Sequence, residues 1–143
     1  MFTVDKLSKD NYGPWDSFVK NANNGTIFHL RKFFSYHPND RFIDHSIEFY
    51  KNNSLFSVFP AAELMINKNR LLVSHPGATV GSFVVSEHLS ISDSFKLIES
   101  LIEYAKEKKI FHLKKEIENL MAKFEIEIIR AEIYNLKMLA QQK

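Results

Sequence analysis

Six histidines, at positions 29, 37, 45, 75, 88 and 112, are the side chains of this 143-residue chain that change charge near neutral pH. None pair at H-x-x-H or H-E-x-x-H spacing, so no metal site is expected. The chain has no cysteine, which removes disulfides, zinc thiolates and a thiol nucleophile. His75 follows the apolar run "RLLVS" and precedes Gly77, where it is a candidate general base. The simpler reading is a turn histidine bonded locally, because no acid stands at a set spacing from it. Glu63 in "SLFSVFPAAELMI" is a second candidate base for an attacking amine, or else an exposed strand residue. Ser74 beside His75 is no nucleophile elbow, since no G-x-S-x-G surrounds it. Trp15 near Tyr12 reads as a core anchor, with ligand stacking as the alternative.

Backbone-permissive residues gather in one place. "LLVSHPGATVGSFVV" holds two of the four glycines and one of the four prolines, and no Gly or Pro follows Gly81. Around this stretch the pattern changes. "NYGPWDSFVKNANNGT" reads as a turn, a short helix with Pro14 in its first turn, and a stop with Gly25 as a left-handed cap. "TIFHL" reads as a short strand, and "RKFFSYHPND" as a second short helix closed by Pro38 and the turn at Asn39 and Asp40. "FIDHSIEFY", "SLFSVFPAAELMI" and "RLLVSH" read as an antiparallel meander with polar turns at 51–53 and 67–69. Pro60 within the middle run implies a bulge or an edge.

Beyond "GSFVVSEHL" the period becomes helical. Ser90 or Ser92 suits an N-cap and Asp93 a first turn. Phe95, Ile98, Leu101, Ile102 and Ala105 recur at spacings of three and four to about Lys109. The last third, rich in Glu, Lys, Leu, Ile and Ala, reads as one long helix or as two with a break near Phe124; "FEIEII" at 124–129 leaves a strand open. Ile126, Ile129, Ile133, Leu136 and Ala140 make one stripe, and Met121, Phe124 and Ile128 an adjoining one.

The totals fit one domain of ordinary apolar content. A formal net charge of +2 is too small to argue for nucleic acid or an anionic membrane. The N-terminus is not patterned as a signal peptide, and no apolar run approaches the roughly 20 residues that span a bilayer. A cytoplasmic protein is the expectation.

The phrases "WDSFV", "GTIFHLRKFFSYHP", "SLFSVFPAAEL" and "SHPGATVGSFVV", in this order, resemble the first half of acyltransferases of the GNAT superfamily, in the FemAB-like branch that includes peptidoglycan-bridge proteins. The resemblance covers about Asn11 to Lys109. It implies an α+β fold: a partial GNAT-like, mixed or antiparallel sheet with flanking helices and a long C-terminal helix. It implies a half domain over 1–110, and the apolar stripes of the helical segment over 111–143 imply that this segment packs or dimerises. It also implies transfer of an acyl or aminoacyl group to an amine or hydroxyl of a small molecule, glycan or peptide. Acyl-coenzyme A is the implied donor, with aminoacyl-tRNA as the lesser choice. Gly77, Gly81, Ser82, Ser90 and Ser92 would then line the cofactor, and His75 or Glu63 would act as base. The family often has "YGG" where this chain has Val80, Gly81 and Ser82. Its later strands have no counterpart in the Glu/Lys-rich tail. A non-catalytic relative, working through its helices as a homodimer or partner-binding module, is therefore the alternative.

Overall fold

The computed structural model describes residues 2–36, 38, 41–66, 69–74, 78, 80–86 and 89–110. The stripes expected over 111–143, the strand-or-helix alternative at 124–129, and two site candidates, His75 and Gly77, lie outside them.

The architecture is α+β with antiparallel sheets. β1 (Thr3–Lys6) leads through a single 3-10 turn into α1 (Tyr12–Asn21), a second 3-10 turn over Ile27–His29, and α2 (Arg31–Phe34). Six strands follow: β2 (Ile43–Asp44), β3 (Ile47–Lys51), β4 (Ser54–Phe59), β5 (Ala61–Ile66), β6 (Asn69–Ser74) and β7 (Val84–Val85). α3 (Ile91–Glu107) closes the described chain. The expected meander is present. Asn52 and Asn53 both have positive φ, the geometry that a two-residue hairpin turn demands.

Two ladders result, in the orders β1-β3-β4-β7 and β2-β5-β6. They are two ends of one bent hairpin, because β2 runs into β3 through His45 and Ser46, and β4 into β5 through Pro60. Pro60 has no N–H to give the ladder, and the break falls there as its chemistry requires. Across the break His45 N–H still donates to the Ala61 carbonyl at 2.9 Å. The Ser46 hydroxyl accepts from Ala61 N–H at 3.3 Å.

Helices cover the sheet. Trp15 and Val19 of α1 pack on Val58 and Val84, with Leu7, Phe18, Leu30 and Leu55 around them. Trp15 is fully buried and its indole N–H donates to the His29 carbonyl at 2.7 Å, so it is a core anchor. α3 begins as expected at Ser90, whose hydroxyl accepts from Asp93 N–H. It ends with Lys109 in the left-handed region, and Ile110 N–H returns to the Ala105 carbonyl. Its buried face is centred on Leu97, Leu101, Tyr104 and Ala105. That face is rotated from the expected stripe, because Phe95, Ile98 and Ile102 are only half-buried.

Two local expectations fail for physical reasons. "TIFHL" is a 3-10 turn and not a strand: His29 Nδ1 accepts from Thr26 N–H at 3.1 Å, closing a cap that an extended chain could not make. Gly25 is not a left-handed cap. It is needed for space, since a Cβ there would run into the Val19 carbonyl. β1 carried no signal strong enough to be read from "TVDK".

Candidate functional site

The loop that leads from β6 to β7 crosses from one ladder to the other. Ser74 closes β6, and its hydroxyl accepts from Ser82 N–H at 2.9 Å. Gly81 passes so close that a Cβ would strike the Ser74 hydroxyl. The next residue, Ser82, has φ +89, a conformation that glycine adopts freely and a side chain resists. So the permissive backbone at 81–82 answers two demands, close approach and positive φ, and a serine meets the second.

Ser90 and Ser92, both exposed, lie at the start of α3, where the first N–H groups have no partner within the helix. Asp93 takes much of that positive end for itself. Its backbone N–H bonds Ser90 at 3.0 Å, and its carboxylate accepts from Ser90 and from Lys51 Nζ at 2.8 and 2.9 Å. These hydrogen bonds, Lys51 first, hold the Asp93 carboxyl below its ordinary value. The pair leaves the helix start without net repulsion for an anion.

Glu63 is not an exposed strand residue. Its carboxylate accepts from Arg70 Nε and Nη2, both at 2.9 Å, and contacts His45 Nδ1. His45 Nε2 in turn meets the Tyr104 hydroxyl of α3 at 2.8 Å. One neutral tautomer satisfies both ends: Nδ1–H donates to Glu63, and Nε2 accepts from Tyr104. Burial pushes Glu63 up, but the bonds from His45 and Arg70 outweigh it and hold the carboxyl below its usual range. Burial is also the main cause that lowers His45, opposed by Glu63, and that pushes Tyr104 up to about 12. A carboxylate held ionised by two donors is a weak base.

Further buried charge comes from α2 and β3. Arg31 pairs with Asp44, bonds the Ser46 hydroxyl at 3.0 Å, and stacks between Tyr12 and Phe34. Glu48 is buried against Asn11 Nδ2 at 2.8 Å, and burial pushes its carboxyl up. Among the described residues no three His, Asp or Glu side chains group to hold a metal ion. No described helix is long and apolar enough to cross a membrane.

The structure thus brings Gly81, Ser82 and Ser74 together and places Ser90 and Ser92 at one helix start. It draws Glu63 into a separate network. His45, Arg70 and Tyr104 were missed in the sequence. The β5–β6 register sets Arg70 diagonal to Glu63, because Glu63 pairs with Leu72, and the turn expected at 67–69 did not give that register.

No protein-family model matches the chain, and no curated protein matches it. A solved structure that does match is the ribosomal-protein-S18-alanine N-acetyltransferase from Escherichia coli. It is 14% identical with a TM-score of 0.46, and the match covers 76% of this chain and 61% of that one. The chain therefore spans under two-thirds of that enzyme's length.

Proposed function

We propose that this chain is an acyltransferase-type protein of the GNAT superfamily, FemAB-like in its phrases, with an acyl-coenzyme A site between the 81–82 loop and the start of α3. The observation that carries the reading is the backbone at 81–82. Gly81 passes against the Ser74 hydroxyl beside a serine at φ +89, so the loop runs with no side chain at 81 just before the helix start. It precedes a helix whose first N–H groups attract phosphate. Gly81, Ser82, Ser90 and Ser92 would hold the cofactor, with Lys51 as the nearby cation. Bound there, the cofactor supplies an acyl group activated as a thioester, and the acceptor is an amine or hydroxyl. Coenzyme A at millimolar concentration should raise the melting temperature, and the rise should grow with the logarithm of its concentration once that exceeds Kd. Gly81→Val should abolish that rise. No shift in the wild type would sink the reading.

A second reading is a non-catalytic relative that works as a homodimer through residues 111–143. The ion pairing of Glu63 favours it, because the candidate base is already engaged. Light scattering on the wild type and on Ile129→Glu with Ile133→Glu separates the two. A wild-type dimer that the double variant splits supports this reading, and a monomer refutes it.

A further inference from the structure

The connection from α1 to α2 does more than join two helices, because it grips the far edge of the loop just described. Asn23 N–H donates to the Val85 carbonyl at 3.2 Å. Asn24 uses both ends of its carboxamide: Nδ2 donates to the Phe83 carbonyl at 2.8 Å, and Oδ1 accepts from Val85 N–H at 2.9 Å. The partners lie 59 and 61 residues away in sequence, so no local turn accounts for the pairing. Asn24 is itself exposed and buries no side chain of its own.

His29 anchors the same connection. It is 1% exposed, and its Nδ1 accepts from Thr26 N–H at 3.1 Å.

We infer that the α1–α2 connection positions the 81–85 segment for its ligand, with Asn24 as a positioning residue for the coenzyme A site. The inference rests on the acyl-donor reading above. Asn24 holds Phe83 and Val85 in register, which fixes where Gly81 and Ser82 present their backbone. The Asn24 side chain does not touch the ligand, and its effect passes through the loop.

Affinity and stability separate this role from a merely structural one. Coenzyme A binding is measured by calorimetry on the full chain, beside urea unfolding without ligand. Asn24→Ala should weaken binding about tenfold, beyond the stability lost with the two bonds that the free chain already makes. Asn21→Ala is the control: it removes an exposed asparagine that bonds only Ser17 on its own helix, at 2.8 Å. Wild type and Asn24→Ala binding equally would overturn the inference while the acyl-donor reading stands. A loss shared equally by the Asn21 control would overturn it too. Failure of the wild type to bind at all would overturn both.

Discussion

The two ends of the bent hairpin are held by opposite means. Under α1, the β3–β4–β7 end is closed by apolar contact: Trp15, Val19, Val58 and Val84 are each at most 2% exposed. At the β2–β5–β6 end the ties are polar. Arg31 with Asp44, and Glu63 with His45 and Arg70, connect α2 and α3 to the strands. Apolar contact is non-directional and tolerates some slippage. A chain of bonds through His45 fixes one register of α3 against β5, because Tyr104 and Glu63 must both be met. An apolar end supplies stability and a polar end supplies geometry, and the loop at 81–82 joins the two.

The sharpest break of this contrast is Trp15→Ala. It empties the centre of the apolar end and orphans the His29 carbonyl. The expected loss is about 3–5 kcal/mol by urea unfolding, enough to unfold a marginal domain. A loss under about 1 kcal/mol would mean that the apolar end does not carry the fold.

The polar end should give way less and in a coupled manner. Glu63→Leu removes the acceptor of both His45 and Arg70, and about 3 kcal/mol is expected. Arg70 is 39% exposed, so water recovers part of its loss. His45→Phe with Glu63→Leu should cost less than the sum of the single variants by more than about 1 kcal/mol. Strict additivity would show that the network is two separate contacts.

The two ends also differ in pH response. Burial lowers His45 from 6.5, so the unfolded chain binds the proton more readily than the native one. Its contribution is present above about pH 6.5 and declines as the pH falls through the folded value. Glu63, lowered from 4.5, adds a second decline in stronger acid. Burial lowers His29 in the same sense, while Glu48 is raised and acts in the opposite sense above 4.5. Removing His45 isolates its share. Between pH 6.5 and 5 the stability of His45→Phe should fall less steeply than wild type, by up to about 1.4 kcal/mol per pH unit. The Trp15→Ala deficit should stay constant over that range. Parallel slopes for wild type and His45→Phe would place the proton uptake elsewhere.

This division explains what the sequence made legible. The apolar end was readable because periodicity marks its helix, where Trp15, Phe18 and Val19 share a face, and because asparagine turns separate the apolar strand runs. The polar end was not. His45, Glu63, Arg70 and Tyr104 come from four elements, and only the register of β2 on β5 and the rotation of α3 bring them together. That rotation was misjudged because Tyr104 and Leu97 face inward where Phe95 and Ile98 were expected. "TIFHL" misled for a related reason, since one histidine-to-backbone bond overrode the strand preference of its residues. Of the candidate site, glycine frequency pointed to 77–81, but among the described residues there the positive φ falls on Ser82.

That serine gives the smallest effect and the finest test of the join between the two ends. Ser82→Gly removes a side chain from φ +89 and keeps the backbone N–H that bonds Ser74. Relief of strain is worth about 1 kcal/mol or more. The added freedom of glycine in the unfolded chain offsets about half of that. A net gain of about 0.5 kcal/mol, seen as a slightly higher melting temperature, is expected. One residue earlier the sign reverses. Gly81→Ala puts a Cβ against the Ser74 hydroxyl, and turning that hydroxyl away would break its bond to Ser82. Gly81→Ala should therefore destabilise by roughly 1–3 kcal/mol, in the range of an overpacked site. Ser74→Ala in the same chain should recover part of the loss by making room. If Ser74→Ala leaves the Gly81→Ala deficit unchanged, the crossing is not set by this contact. If Ser82→Gly destabilises, the serine side chain contributes something to the join that its backbone conformation does not reveal.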